Sequence, residues 1–266
     1  MFSNMRLDNF YIGIPVIISA VAMVVFGHVF VHKKLRSDFF KGPHEITGYY
    51  FSIVATIYAV TLGLVVVDAL NKFEEAASIL EKEASSILIV YKVADQFKAE
   101  GANEKIKNLT QEYLDEVIGY DWKIMDEGKY NTKSRKILNE LFDTIKVIEP
   151  STGNEQTMLP LLIGAVKSMW EARRERVYRA QNGINSVEWL VLLIGAFVTI
   201  IFTYFFTADN YLSHLFMNGL VSLIIFINLY IVLLFGQPFT GNFTASKSSL
   251  LDAREIIRGN YSGPQN

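Results

Sequence analysis

Arg173, Arg174, Arg176 and Arg179 fall within nearly two helical turns, so on a helix they cover most of its surface. A guanidinium stays charged at any physiological pH and grips carboxylates or other anions through a planar fork. Two chemistries fit. The four can pair with Glu74, Glu75, Glu81 and Glu83 on a neighbouring helix and attract anionic lipid. Repeated around an oligomer, they can instead form a cationic ring that concentrates anions at a pore mouth. His28 and His32 are spaced i, i+4 and share one helix face, which could aim both at one metal or haem. No third ligand is near them in sequence, and Lys33 and Lys34 would repel a cation, so neither metal nor cofactor is expected. Asp68 and Glu188 lie at the edges of apolar runs. Acids inside a membrane mark function, whereas at its boundary they mark the exit into water or a charge favoured by the helix dipole. The chain shows no Gly-rich phosphate loop, nucleophile elbow, catalytic carboxylate pair or zinc signature. It contains no cysteine, which removes disulfides, thiolate metal sites and thiol catalysis. It is not expected to be an enzyme.

These residues hang on a frame set by composition. Hydrophobic types make up 51% of the 266 residues and charged types 20%. The apolar excess is concentrated in four runs, 10–31, 46–70, 188–207 and 211–235, each near the roughly 20 residues that cross a bilayer as a helix. Tyr49, Tyr50, Trp189, Tyr204 and Tyr211 sit near run ends, where amphipathic rings favour the headgroup region. Ala20-Val21-Ala22 resembles a signal-peptide cleavage site, but apolar sequence continues to Val31, as a spanning helix would. With 25 basic and 27 acidic residues, net charge −2, the chain has no basic field for nucleic acid.

Residues 71–187 form a polar insertion, expected to be a helical bundle. No glycine or proline occurs between Gly63 and Gly101, so the second span is expected to continue straight out of the membrane. Leu70, Phe73, Ala77, Leu80, Ala84, Ile87, Tyr91 and Ala94 recur at alternating spacings of three and four, a seam for packing helices together. Further helices are expected over about 102–127, 131–148 and 158–179, the first with Ile106, Leu109, Tyr113, Val117, Tyr120 and Ile124 on one face. Pro150 to Asn154 reads as a loop. Residues 236–266 read as a C-terminal tail. The fold class is an all-α integral membrane protein of four spans, with a helical bundle inserted between the second and third.

Positive residues stay on the cytoplasmic side of short loops. Ala208-Asp209-Asn210, joining the last two spans, carries none; Lys247, Arg254 and Arg258 follow the fourth span, and the arginine cluster precedes the third. That predicts a cytoplasmic bundle with both termini inside. Lys33, Lys34, Arg36 and Lys41 in the first loop oppose it and favour a bundle outside, like a sensor domain.

Within and beyond the second span stand Gly48-x-x-Phe51, Tyr58-Ala59-Val60-x-Leu62, Val65-Val66-Val67, and then Phe73, Ala76, Glu83 and Ala84. Ala172-Arg173-Arg174-x-Arg176 precedes the third span and Pro238-Phe239-x-Gly241 follows the fourth. In order and spacing these resemble the bestrophin-like membrane family of bacteria, over about 46–245. One departure is Gly236, where the family pattern often carries an acid two positions before the Pro-Phe pair. Bestrophins are oligomeric anion channels of four spans with a helical cytosolic part. The resemblance therefore implies a homo-oligomeric ion channel in a bacterial plasma (inner) membrane, with lipid and small ions as partners and the second span lining the pore.

The second span has two faces. Gly48, Ser52, Ala55, Ala59 and Gly63 make a small-residue stripe, and Phe51, Val54, Tyr58, Leu62 and Val65 a bulky one. Small stripes allow close helix approach in lipid, so both could serve helix packing alone. On the channel reading, Phe51, Thr56, Tyr58, Leu62 and Val65 line the pore, and Arg173, Arg174, Arg176 and Arg179 attract anions. The alternative is a non-conducting membrane scaffold or sensor whose bundle binds a partner or ligand.

Overall fold

A computed structural model describes residues 9–34, 44–97, 101–126, 129, 131–205 and 210–259. Arg36 and Lys41 of the first loop, and Ala208 and Asp209 of the third, lie outside the described residues. The described elements are helical: α1 Phe10–Lys34, α2 His44–Val93, α3 Ala102–Glu116, α4 Trp122–Asp126, α5 Lys133–Lys146, α6 Gly153–Gln181, α7 Ser186–Tyr204, α8 Tyr211–Phe235 and α9 Ser248–Arg258. Among the described residues, four helical stretches are long and apolar enough to cross a membrane. The chain divides into two compact units, one holding residues up to Lys72 with Ile184–Gln237 and Gly241–Phe243, the other Phe73–Gly183, Pro238–Thr240 and Thr244 onward.

In the first unit α1 packs against α8 and α7, and the first part of α2 packs against α7 and α8. Lipid gives apolar side chains no reason to leave it, so the helices are held by close fit and interhelical hydrogen bonds. Close fit is visible at Gly195: a Cβ there would lie 2.3 Å from the Tyr58 ring. Gly13 meets Tyr230 in the same way, at 2.3 Å from its hydroxyl. Tyr204 adds an interhelical bond, its hydroxyl donating to the Val24 carbonyl at 2.7 Å. Asn185 and Asn210 cap α7 and α8, each side-chain oxygen accepting a backbone N–H two residues on.

The second unit has a conventional apolar core. Leu80, Ile87, Ile106, Leu114, Leu138, Leu141, Leu162, Phe239 and Leu250 are fully enclosed. The buried stripe of α2 here runs Ala76, Ile79, Leu80, Glu83, Ala84, Ile87 and Val90, and continues to Ala94 just past its end; it is wider than a two-helix seam, and Ala77 is exposed. Several helices, not one partner, cover it.

Three local departures from the periodicity reading have physical causes. A π-helical turn over Val117–Asp121 inserts a residue between α3 and α4. The inward face rotates, so Tyr120 is 56% exposed while Asp121 is buried at 2%. α6 begins at Gly153, inside the expected loop, because Thr152 caps it by accepting from the Glu155 N–H. Glu155 reaches back to accept from the N–H and hydroxyl of Ser151, a reciprocal arrangement close to a capping box. The tail is not featureless: α9 buries Leu250 and Ala253 in the bundle core and ends at Gly259 in the left-handed conformation, φ 76°.

Candidate functional site

α2 positions the residues expected to line a pore, and it separates them. Tyr58 and Leu62 are 7% exposed and lie in an apolar cluster with Leu192, Ala196, Ile225, Leu229 and Val232. Val65 packs at its edge, and Phe51 is half-buried. Thr56 is exposed, on a stripe with Tyr49, Ile53, Val60, Gly63 and Val67. The two glycines of the small-residue stripe, Gly48 and Gly63, have nothing within 4 Å of a built Cβ. The bulky face is thus occupied by the chain's own helices, and the small face meets none of them at these points.

The arginine cluster is likewise divided. Arg176 is fully buried and forks onto Glu83, its Nε donating at 2.8 Å and its NH2 at 3.1 Å, with Asp121 at 3.5 Å. Tyr113 donates its hydroxyl to the same Glu83 carboxylate at 2.5 Å. Arg173 is also buried, donating to the Ser134 hydroxyl at 2.9 Å and the Asn131 carbonyl at 2.6 Å. Arg179 is half-buried in an ion pair with Glu75. Arg174 is exposed and stacks over the Trp170 ring at 5.4 Å. Burial works against the Arg176 charge, but the Glu83 carboxylate outweighs it and holds the guanidinium above its ordinary pKa. Arg173, with no such partner, is pulled below its ordinary value by burial. Burial first, and then the Glu83 charge, push the Tyr113 phenol well above its usual range. The two acids and two arginines balance, so the core holds no net charge here. Glu83 and Glu75 pair with Arg176 and Arg179, which leaves Arg174 as the guanidinium of the four facing solvent.

Asp68 and Glu188 both lie at Lys72, at 2.6 and 3.9 Å, an arrangement that explains both acids without invoking function.

The histidines give the largest surprise. His28 and His32 on α1 meet His214 on α8, and one ligand atom from each lies within 4.8 Å of the others. No third histidine is near them in sequence; His214 comes from 182 positions further along the chain than His32, through the antiparallel packing of α8 on α1. Asn218 on α8 holds His28 Nδ1 at 3.0 Å, and His214 Nε2–H donates to the Thr203 carbonyl at 3.1 Å. Sequence spacing could not have found His214; its one signal was a histidine breaking an otherwise apolar run.

Apolar spans packed through small residues, with a charge-balanced helical bundle inserted between the second and third, define an all-α membrane protein. The chain belongs to the Bestrophin-like domain family, which it matches over residues 13–250. Its fold is similar to that of a point-mutated bacterial bestrophin homolog from Klebsiella pneumoniae, with a TM-score of 0.69 at 11% identity. That match covers 93% of this chain and 99% of the other. No curated protein matches.

Proposed function

We propose that the protein is a homo-oligomeric ion channel, selective for anions, in which α2 of each subunit faces the conduction axis. The observation that supports this most is the uncharged outer stripe of α2. Tyr49, Ile53, Thr56, Val60, Gly63 and Val67 have no partner helix within the described chain along a membrane-spanning length. Membership of the Bestrophin-like family supports an axis there, with Thr56 offering a hydroxyl to ions and Ile53 and Val60 forming an apolar constriction that gates by dewetting. Tyr58, Leu62 and Val65 then act from behind, fixing the azimuth of α2 against α7 and α8. Arg174 is the member of its cluster free to attract anions. The bundle and both termini face the cytoplasm of a bacterial cell, and the partners are lipid, small ions and further copies of the chain.

Flux into liposomes tests this reading. Halide entry exceeding potassium entry is expected, abolished by Val60→Arg or Thr56→Trp at unchanged oligomer mass. A monodisperse monomer, or folded oligomer without flux under any ionic condition, refutes it.

The second reading is a non-conducting scaffold or sensor. It is supported by a groove of about 440 Å³ between α5 and α6, where Phe142 and Trp170 stand exposed. Cysteine-accessibility labelling in this cysteine-free chain separates the two: an outward-facing bundle favours the sensor.

A further inference from the structure

We propose that His28, His32 and His214 form a binding site for a first-row transition-metal dication of the zinc type. Three observations converge on it. The first is distance: one nitrogen from each ring lies within 4.8 Å of the others. Nitrogens around a tetrahedral zinc, at bonds of about 2.0 Å, stand roughly 3.3 Å apart, so modest side-chain rotations close the site. The second is orientation. His214 Nε2–H donates to Thr203, which leaves its Nδ1 lone pair for a metal. Asn218 Nδ2 lies 3.0 Å from His28 Nδ1; turning the amide about places Oδ1 there instead, to accept from Nδ1–H and free Nε2 as the ligand atom. That Nε2 belongs to a fully buried ring and has no hydrogen-bond partner among the described residues. The third is the donor set: three neutral imidazoles suit zinc, copper or nickel, whereas calcium and magnesium require oxygen.

Lys33 and Lys34 are both exposed, and Lys34 extends over the Phe30 ring at 5.4 Å. Phe30 lies about 200° around the helix from His28, on the lipid-facing side. Three protein ligands leave a fourth position for water or an anion. A metal there ties the end of α1 to the start of α8, at the opposite end of this unit from Lys72 and Glu188. The inference does not depend on conduction.

Full-length protein in detergent, stripped of metal, is titrated with Zn²⁺ by calorimetry and with Co²⁺ by visible absorption. Wild type is expected to take up a single equivalent of Zn²⁺ and to give the intense ligand-field bands of tetrahedral Co²⁺. His214→Ala and His32→Ala should abolish both, each checked for monodispersity by gel filtration. His32 is only half-buried, so its loss tests the site where removal of a buried ring upsets folding. Asn218→Ala should weaken Zn²⁺ by about 10- to 100-fold, since it removes the group that orients His28. His44→Ala, the remaining histidine of the chain, should change nothing. No uptake by wild type, or uptake that survives His32→Ala and His214→Ala, overturns the proposal.

Discussion

Each unit buries a cluster of polar side chains in an apolar interior, and the two clusters are finished differently. In the bundle, Arg176 meets Glu83 through two bonds, Tyr113 caps the same carboxylate, and charges of both signs balance. In the membrane unit, three rings converge, two of them have a nitrogen in a hydrogen bond, and the buried Nε2 of His28 has no hydrogen-bond partner among the described residues. Asp121 is held in the bundle cluster by charge alone, 3.5 Å from Arg176, and a cluster whose charges cancel specifies a packing, whereas neutral rings gathered around an open nitrogen suit a ligand. The bundle cluster therefore reads as the lock of its fold, although its arginines look functional in sequence. The histidine cluster, which in sequence looks incomplete, is the better candidate site.

The bundle cluster is most vulnerable at Glu83. Glu83→Ala leaves the Arg176 guanidinium fully enclosed without its main partner, and loss of one member of such a pair costs about 3–5 kcal/mol. Denaturant unfolding of the detergent-solubilised protein should register that loss, or the bundle should fail to form. Glu83→Met combined with Arg176→Met removes one charge of each sign, leaves Asp121 and Arg173 to balance each other, and should recover most of the stability. A double variant as unstable as Glu83→Ala would mean that the network does more than balance charge.

In the membrane unit the largest effect is steric. Gly195→Ala places a methyl 2.3 Å from the Tyr58 ring, and relieving such overpacking costs about 1–3 kcal/mol. On the channel reading it should also rotate α2 and alter conductance, although Gly195 is not on the outer stripe. Single-channel recording beside thermal unfolding checks both effects. Wild-type behaviour in both would detach Tyr58 from α2 positioning.

A smaller effect is expected at Tyr113. Tyr113→Phe removes the hydroxyl donor to Glu83, at about 1–3 kcal/mol for an unsatisfied buried acceptor. Its pH signature is more specific. The folded-state pKa of this phenol is raised, so its contribution is complete below the unfolded value near 10 and is lost as pH climbs beyond it. Wild type should therefore lose stability more steeply than Tyr113→Phe above about pH 10, and the two should run parallel at neutral pH. Equal alkaline slopes would show that the phenol is not held neutral by burial.

The fold class was legible because lipid imposes a coarse rule that needs no tertiary knowledge: long uncharged runs become helices. The bundle seam was legible for the related reason that burial repeats with helical period. Legibility failed wherever one residue shifted the register or where partners were remote. The π-turn at Val117–Asp121 leaves no trace in spacing, so Tyr120 reads as core, whereas it is exposed and the neighbouring Asp121 is buried. Thr152 and Glu155 did carry a capping signal, masked by the proline and glycine around them. In the tail, Leu250, Leu251, Ile256 and Ile257, followed by Gly259, announced α9 but were too few to compete with the reading of a tail. The arginines showed their charge in sequence but not their partners, because Arg176 meets Glu83 from 93 positions away. The histidine trio was invisible for the same reason.

The smallest expected effect on stability falls at Arg174, where the two readings of the bundle part company. Its guanidinium is exposed and stacks on Trp170, so Arg174→Glu should change stability by no more than about 0.5 kcal/mol. On the channel reading it nevertheless replaces the free cation of the cluster by an anion in every subunit. The local potential changes sign, and with it the preference for anions at that mouth. Reversal potentials across a salt gradient should then shift towards cations. The shift should shrink at high ionic strength, where the Debye length falls to about 3 Å at 1 M. A shift of zero at low salt, with unfolding unchanged, would make Arg174 a surface residue like any other. Selectivity would then have to reside along the stripe of Thr56 and Val60, where there is no charge to provide it.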